Sequence, residues 1–253
     1  MRRFDTILLP LVAAGVLLAA WSAAVWLTGT NVFPSPAAVA RGIGELMRSG
    51  LLLRYLGDSL FRVWTGFLLA LIVGVPLGLW MGLSPTVATV VNPVIQVLRP
   101  ISPIAWIPLA IIFFGVSNLA TVFLIFLTSV LPMAVSATNA ARNVPEIYVR
   151  AGRNFGLSRR ALLRRIILPA ALPEVLTGMR ISLGVAWLVL VAAEMIAVDS
   201  GLGYLIIDAR NAGKRYDLVV AGMTLIGAVG LLLDMGVRSL EMVRSVQWGF
   251  RSE

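Results

Sequence analysis

The side chains of this sequence that could do chemistry are arginines and a few acids. Its 253 residues include 21 basic residues, of which Lys214 is the one lysine, but no histidine and no cysteine. Disulfides, thiolate catalysis and histidine-based metal sites or proton relays are therefore excluded. The remaining chemistry is the recognition of charged ligands or partners, and the kind of partner depends on where the arginines lie.

The arginines are concentrated in one segment. Residues 141–180 hold eight arginines against Glu146 and Glu174, which gives this segment +6 of the net charge of +9. A basic excess can indicate a nucleic-acid-binding protein. Because most of the charge lies in one short segment of an apolar chain, it indicates membrane topology and one docking surface instead. We therefore expect no nucleic-acid partner.

The basic segment has the pattern of two short helices around a glycine. Residues 145–155 are polar enough for a surface helix, and Gly156 interrupts it. Ser158 is a suitable N-cap for a second helix at 159–168. We expect this helix to end at the prolines that follow it, Pro169 and Pro173. One face is apolar and the other basic. Such a loop can dock on a partner protein or lie on anionic lipid, and the residues alone leave both interpretations open.

The composition places the chain in a membrane. Hydrophobic residues make up 59% of it and charged residues 13%, whereas soluble domains carry about 25% charged residues. A helix needs roughly 20 apolar residues to cross the hydrocarbon core. Five stretches are long and apolar enough: 7–27, 60–83, 119–140, 181–198 and 218–237. The first is longer than a typical signal-peptide core, so we interpret it as a permanent anchor.

The stretch 86–115 is apolar but broken. It contains four prolines and an arginine: Pro93, Arg99, Pro100, Pro103 and Pro108. Because proline removes a backbone donor and clashes with the preceding turn, we do not expect one straight helix. We expect a short interfacial helix up to Leu98 followed by a span up to Gly115. This brings the number of crossings to six.

Six crossings place both termini on one face of the membrane. The start of the chain, the segment 141–180 and the tail from Arg238 lie on that face and hold 13 of the 21 basic residues. By the positive-inside rule this face is cytoplasmic. A Ser-Pro start predicts a short helix at 37–47 along the outer surface. We expect a single membrane domain at 1–253, with an anchor and outer segment at 1–58 and a core at 59–253.

A stripe of small residues runs along the second predicted span at a spacing of four. Its members are Gly66, Ala70, Gly74, Gly78 and Gly82. Such a stripe lets another helix approach closely. We expect it to serve helix packing and not chemistry.

One spacing in the basic segment resembles that of a known family. Arg150-Ala151-Gly152, three residues, Gly156, nine residues, Ile166, one residue and Leu168-Pro169 follow one another. This run resembles the cytoplasmic signature of permease subunits of bacterial ABC importers, written Glu-Ala-Ala, x3, Gly, x9, Ile-x-Leu-Pro. The chain departs from it at Arg150 and Gly152. The departures imply that the acid is not chemically essential and that the glycine loosens the first helix.

The resemblance implies an all-α polytopic membrane protein of about six transmembrane helices, with the type I ABC importer permease fold. In that family the loop is the coupling helix, which sits in a cleft of the cytoplasmic ATPase. The same role is implied for nine residues: Arg150, Ala151, Gly152, Gly156, Leu157, Ser158, Ile166, Leu168 and Pro169. The implied partners are cytoplasmic ABC ATPase subunits, a second permease copy, an extracytoplasmic substrate-binding protein and the lipid of a bacterial inner membrane.

ATP and Mg²⁺ are expected on the partner ATPase and not on this chain. A phosphate-cradling Gly-x4-Gly-Lys-Ser/Thr loop is missing, since Lys214 is followed by Arg215 and not by serine or threonine. A dinucleotide loop and a pair of intramembrane acids are missing as well. We expect no catalytic or metal-binding residue here, and therefore not an enzyme but one part of an ATP-hydrolysing complex.

Other stretches are similar to the branch of this family that imports nitrate, sulfonates, taurine and similar small anions. They lie at 98–110, 178–187, 192–195 and 201–204. The resemblance implies import of a small anion such as nitrate, a sulfonate, taurine or bicarbonate. A binding protein would deliver the anion, and alternating access would move it. The resemblance indicates the class of substrate and not the compound.

Four residues are candidates for the translocation path: Arg99, Ser102, Trp106 and Glu194. Backbone opened by prolines at membrane depth is tolerated where it borders protein or a watery cavity, and helix N-termini attract anions. The alternative for Arg99 is that it snorkels to an interface. Glu194 is the one acid well inside a predicted span; it serves a gate or pore, or it reaches water or pairs with an arginine.

Two other classes of membrane protein stay open. One is a non-transport scaffold or enzyme subunit whose basic loop binds lipid or a partner. The other is an ion-coupled secondary carrier. The carrier is the weaker of the two, because Glu194 is the only obvious acid at depth and no histidine can relay protons.

Overall fold

The computed structural model describes residues 3–29 and 33–241, and every regular element within them is helical. The helices are α1 (Arg3–Thr28), α2 (Pro36–Arg48), α3 (Leu51–Leu83), α4 (Pro85–Leu98), α5 (Ile107–Phe114), α6 (Asn118–Arg142), α7 (Glu146–Asn154), α8 (Arg159–Leu162), α9 (Leu168–Glu194), α10 (Leu202–Gly213) and α11 (Tyr216–Glu241). A 3₁₀ turn at Pro103–Trp106 precedes α5, and a π turn at Leu163–Ile167 joins α8 to α9. The expected all-α fold is confirmed.

Four helices of the described residues are long and apolar enough to cross a membrane: α3, α6, the continuous helix Arg159–Glu194 and most of α11. The pair α4 and α5 makes a fifth crossing if it is taken as one broken span. α1, with 26 residues, is not among these helices, and a sixth crossing through it stays a prediction. α3 begins at Leu51 and not at the predicted residue 60, and its 33 residues make it longer than the roughly 30 Å hydrocarbon core requires.

The proline-rich stretch forms two helices that meet at 92°. α4 ends at Leu98, as predicted, and α5 ends before Gly115, whose φ is +70°. Ile95 of α4 packs with Met81 of α3 and Ala134 of α6. The break predicted from the prolines is confirmed, and packing on two neighbouring helices holds α4 in place.

The packing of α3 on α6 uses the stripe of small residues. A Cβ added at Gly66 would lie 2.7 Å from the Cβ of Ile125, and one added at Gly82 would lie 2.5 Å from the Cβ of Ala141. Real Cβ atoms do not approach other atoms this closely, so the glycines are what allows the two helices to touch. The predicted packing role of the stripe is confirmed.

Gly78→Val is expected to prevent stable assembly in the membrane. A Cβ at Gly78 would collide with the carbonyl oxygen of Ala134, and backbone of a packed helix moves aside less easily than the end of a side chain. Overpacking of this kind costs about 1–3 kcal/mol and sometimes more. The measurement is the yield of monodisperse protein after extraction in mild detergent. Gly15→Val is the matched control, since a Cβ there meets no atom within 4 Å; equal yields would contradict the packing role.

The helix that follows Ser158 does not end at its prolines. Ser158 caps it as predicted, because its Oγ accepts a hydrogen bond from the Ala161 N–H at 3.3 Å. The expected stop at Pro169 and Pro173 is wrong, since the helix continues to Glu194. The α-helical hydrogen-bond pattern begins again after the π turn, just before Pro169. Pro169 therefore lies in the first turn of α9, where its missing N–H leaves no hydrogen bond unmade. The predicted span 181–198 thus begins inside a longer helix, and this helix ends at Glu194, before the predicted end.

The predicted outer helix is present as α2 and packs on α11. Ser35 caps it, with its Oγ accepting from the Ala38 N–H at 3.3 Å. Arg215 binds Glu45 of α2 at 2.7 Å and Asp217 of α11 at 2.9 Å. The hydrogen bond and the charge of Arg215 lower the pKa of the Glu45 carboxyl. This pair therefore contributes to stability above the ordinary pKa of glutamate, and the contribution is lost as the pH falls through the lowered value.

Candidate functional site

The loop between α6 and α9 forms a helical hairpin that is closed by a glycine. The N–H of Gly156 donates to the oxygen of Arg153 at 2.9 Å, and the N–H of Leu157 donates to the oxygen of Gly152 at 3.1 Å. These two bonds are the Schellman motif, which ends a helix with a left-handed residue. Gly156 has a φ of +74°, a conformation that costs other residues about 1–2 kcal/mol. The interruption predicted at Gly156 is confirmed.

Gly152 packs against the second half of the hairpin. A Cβ at Gly152 would collide with Cδ1 of Ile166 and lie 2.7 Å from Cδ1 of Leu162. α7 runs through this residue without a break, and the expectation that the glycine loosens the helix stays a prediction. Its role is close approach of α7 to the π turn. Arg150, the other departure from the signature, pairs with Glu146 one turn earlier at 2.8 Å on the exposed side of α7.

An open groove of about 530 Å³ lies between the two halves of the hairpin. Five of the nine residues with an implied coupling role line it: Ala151, Gly152, Leu157, Ile166 and Pro169. The other four lie around it on α7, at the turn and at the start of α9: Arg150, Gly156, Ser158 and Leu168. Two aromatic residues that the sequence reasoning passed over, Tyr148 and Phe155, also line the groove, and Phe155 is 87% exposed. Exposed aromatic side chains on a polar loop are typical of a protein contact surface.

A second cavity, of about 170 Å³, lies at the bend after α4. Arg99 and Trp106 line it from the bend, Thr128 lines it from α6 and Val185 from α9. The structure therefore brings together two of the four path candidates. Ser102 lies at the same bend but does not line the cavity.

Glu194 lies apart from this cavity, in a buried polar cluster at the end of α9. It is 0% exposed. Its carboxylate accepts hydrogen bonds from Nη1 of Arg62 at 2.7 Å, from Oγ of Ser59 at 2.8 Å and from the N–H of Gly203 at 3.0 Å. Of the alternatives considered for this acid, the structure shows the pairing with an arginine.

The guanidinium of Arg62 ties three other segments to α3. Its Nε donates to Oδ1 of Asn118 at 2.8 Å, its Nη1 to the carbonyl of Ser200 at 2.7 Å as well as to Glu194, and its Nη2 to Oγ of Ser200 at 2.6 Å. The start of α6, the end of α9 and the loop before α10 therefore meet at one side chain. Sequence reasoning did not name Arg62, although it is the only charged residue in the predicted span 60–83.

Fold and site together define a class of protein: a polytopic helical membrane protein with an open groove that is built directly onto one of its membrane-spanning helices. Residues 74–241 match the family model described as "Binding-protein-dependent transport system inner membrane component". The chain belongs to this family, the multi-pass inner-membrane permeases of ABC importers. Membership implies an ATPase and a substrate-binding protein as partners.

Known relatives agree with this assignment. The taurine transport system permease protein TauC of Escherichia coli (strain K12) is 41% identical over 190 residues, which cover 74% of this chain and 68% of that protein. The nitrate import permease protein NrtB of Synechocystis sp. is 35% identical over 241 residues, which cover 92% and 87%. A solved structure of the inward-facing MetNI methionine ABC transporter matches with a TM-score of 0.68 at 19% identity, covering 79% of this chain and 97% of that one. The type I permease fold is thereby confirmed, and the relatives are transport permeases.

Proposed function

We propose that this permease imports a small anion and is driven by a separate ATPase that docks in the hairpin groove. One observation carries the proposal: the groove is continuous with a membrane span. Pro169 lines the groove and opens α9, and the helix Arg159–Glu194 runs on for 36 residues. A displacement of the groove is therefore transmitted to the membrane span, because both belong to one continuous helix. A lipid-binding scaffold would need neither this continuity nor an aromatic groove.

The coupling surface consists of the nine residues implied by the signature, with Tyr148 and Phe155 added to them: Arg150, Ala151, Gly152, Gly156, Leu157, Ser158, Ile166, Leu168 and Pro169. Arg150 stays in water on the exposed side of α7, and the apolar residues of this surface contact the ATPase. Closure of the ATPase on ATP draws two such hairpins together and switches the permease between inward-facing and outward-facing states. This geometry favours ATP-driven coupling over an ion-coupled carrier.

The assembly pairs two identical permease copies with the path between them. ATP and Mg²⁺ are bound by the ATPase subunits, and a binding protein delivers substrate at the outer face. The uneven distribution of basic residues supports a topology with both termini and the groove in the cytoplasm. TauC and NrtB are named for taurine and nitrate, which supports a small anion such as nitrate, a sulfonate, taurine or bicarbonate as the substrate.

Uptake into proteoliposomes tests the function. The vesicles contain the chain, its ATPase and its binding protein, and they are offered nitrate, bicarbonate, taurine and methanesulfonate one at a time. We expect saturable uptake of at least one of them that requires ATP on the ATPase side. Uptake that follows a proton or sodium gradient without ATP would indicate a secondary carrier instead. A chain that never co-purifies with an ATPase and moves no anion would support the scaffold.

Phe155→Ala is expected to weaken binding of the ATPase at least tenfold. Aromatic anchors that enter a desolvated cleft contribute about 2 kcal/mol or more to binding, and tenfold corresponds to about 1.4 kcal/mol. The measurement is the affinity of the detergent-solubilised chain for its ATPase. Phe113→Ala is the matched control, because Phe113 is similarly exposed, at 67%, but lies on α5 away from the groove. The same affinity for both variants would argue against the groove as the contact surface.

A further inference from the structure

We propose that the cavity at the bend after α4 is a binding site for one small anion within the permease itself, with Arg99 as its counter-charge. The inference rests on the proposed import function for its role in transport. It goes beyond that function in one respect: the permease, and not only the binding protein, selects for negative charge.

The cavity lies halfway along α6, one of the helices that wall it. Of the residues that line it, Leu127 lies nine residues after the start of α6 and Pro132 ten residues before its end. At 1.5 Å per residue, each is about 14–15 Å from a helix end. This depth argues against Arg99 as a residue that snorkels to an interface. A backbone break at such depth is tolerated where it borders protein or a watery cavity, and broken helices hold the substrate sites of many transporters.

Arg99 carries a charge that no described residue balances. Its side chain makes no hydrogen bond or ion pair with any residue that the structure describes, and none of the residues lining the cavity is acidic. Arg62 of α3 and Arg180 of α9 differ in this respect, since Arg62 binds Glu194 at 2.7 Å and Arg180 binds Asp234 at 2.6 Å. An uncompensated cation at membrane depth is costly. An anion in the cavity supplies the missing charge.

The remaining wall restricts what this anion can be. Most of it is apolar, and its other polar groups are the indole N–H of Trp106 and the hydroxyl of Thr128. That hydroxyl already donates to the oxygen of Leu124 at 2.8 Å. A water needs about 10–15 Å³ of such space, so about 170 Å³ holds several waters or one small anion. The site therefore fits an oxyanion or sulfonate of a few heavy atoms and disfavours cations.

A single cysteine in the cavity reports this selectivity directly, because the natural chain contains none. Thr128→Cys keeps Arg99 and places a thiol in the wall. In the permease–ATPase complex, the thiol is treated with two methanethiosulfonates, one bearing a sulfonate and one a trimethylammonium group. Modification of the permease is followed by mass spectrometry. The rates are normalised to those of free cysteine. We expect the anionic reagent to react at least tenfold faster than the cationic one, and we expect nitrate or methanesulfonate to slow this reaction.

Two controls separate the charge of Arg99 from general access. In the double variant Arg99→Gln, Thr128→Cys, the ratio of the anionic to the cationic reaction rate is expected to fall to that of free cysteine. Thr224→Cys on α11 removes a hydroxyl that bonds the oxygen of Val220 at 2.8 Å, just as Thr128 bonds that of Leu124, but Thr224 lies outside the cavity. It is expected to show no preference for the anion. If Thr128→Cys does not assemble, Val185→Cys gives the same measurement from α9.

Equal normalised rates, a faster cationic reagent, or no reaction with either reagent would overturn the site. A preference that survives Arg99→Gln would overturn the role of Arg99. The labelling result is independent of the proposed function. Anion-selective labelling in a complex that shows no ATP-driven uptake would support the anion site and contradict the proposed importer function. ATP-driven anion uptake combined with unselective labelling would support the proposed function and contradict the anion site.

Discussion

Gly156→Val should leave ATP hydrolysis in the assembled complex nearly intact and reduce anion uptake at least tenfold. The φ of +74° at this position is a strong outlier for a β-branched residue. A Cβ there meets no atom within 4 Å, so the substitution acts on the backbone alone. Relief of the strain breaks the Schellman bonds and swings α7 away from the π turn. Uptake and ATP hydrolysis are measured in the same proteoliposomes.

Gly156→Asn is the control for this uncoupling. Asparagine adopts the left-handed conformation more readily than other non-glycine residues, so we expect it to keep more than half of the uptake. A valine variant with normal uptake would contradict coupling through the turn at Gly156. An asparagine variant that loses as much uptake as valine would show that any side chain is excluded there, whatever its backbone preference.

Arg62→Met should prevent accumulation of folded protein. The substitution leaves the carboxylate of Glu194 buried without its cation, and removal of one partner of a buried ion pair costs about 3–5 kcal/mol. It also frees Asn118 and the loop at Ser200, both of which Arg62 binds. The measurements are the yield after detergent extraction and the temperature at which the extracted protein unfolds.

Two further variants show whether charge is the cause. Arg54→Met lies on the same helix at an exposed position and is expected to behave like the natural chain. Arg62→Met combined with Glu194→Gln removes both charges, so part of the lost stability should return. If Arg62→Met were as stable as Arg54→Met, the buried pair would have no role in holding the helices together.

Features of the fold that depend on nearby residues could be predicted from the sequence. The cap at Ser158, the turn at Gly156 and the break after Leu98 follow from the conformational limits of serine, glycine and proline. The stripe from Gly66 to Gly82 also follows from spacing alone. Each of these features is decided within one or two turns of chain, and each is present in the structure.

Features that depend on distant residues could not be predicted in the same way. Glu194 and Arg62 are 132 residues apart in the chain, and no local pattern says which arginine reaches that acid. The continuation of the helix through Pro169 depends on a π turn, which helix propensity does not distinguish from an α turn. The depth of Arg99 follows from how α4 packs on α3 and α6, which spacing does not specify.

The π turn at Leu163–Ile167 lies between the hairpin and the span, so the number of residues there affects how the groove is oriented. One residue corresponds to roughly 100° of rotation about a helix axis, so the direction in which the groove faces around α9 depends on the residue count between Gly156 and the span. Loss or gain of a single residue there would preserve α7 and its turn, yet aim the groove at a different neighbour. We therefore expect the orientation of the groove to depend more on the number of residues between Gly156 and Ile166, which is nine, than on their identity.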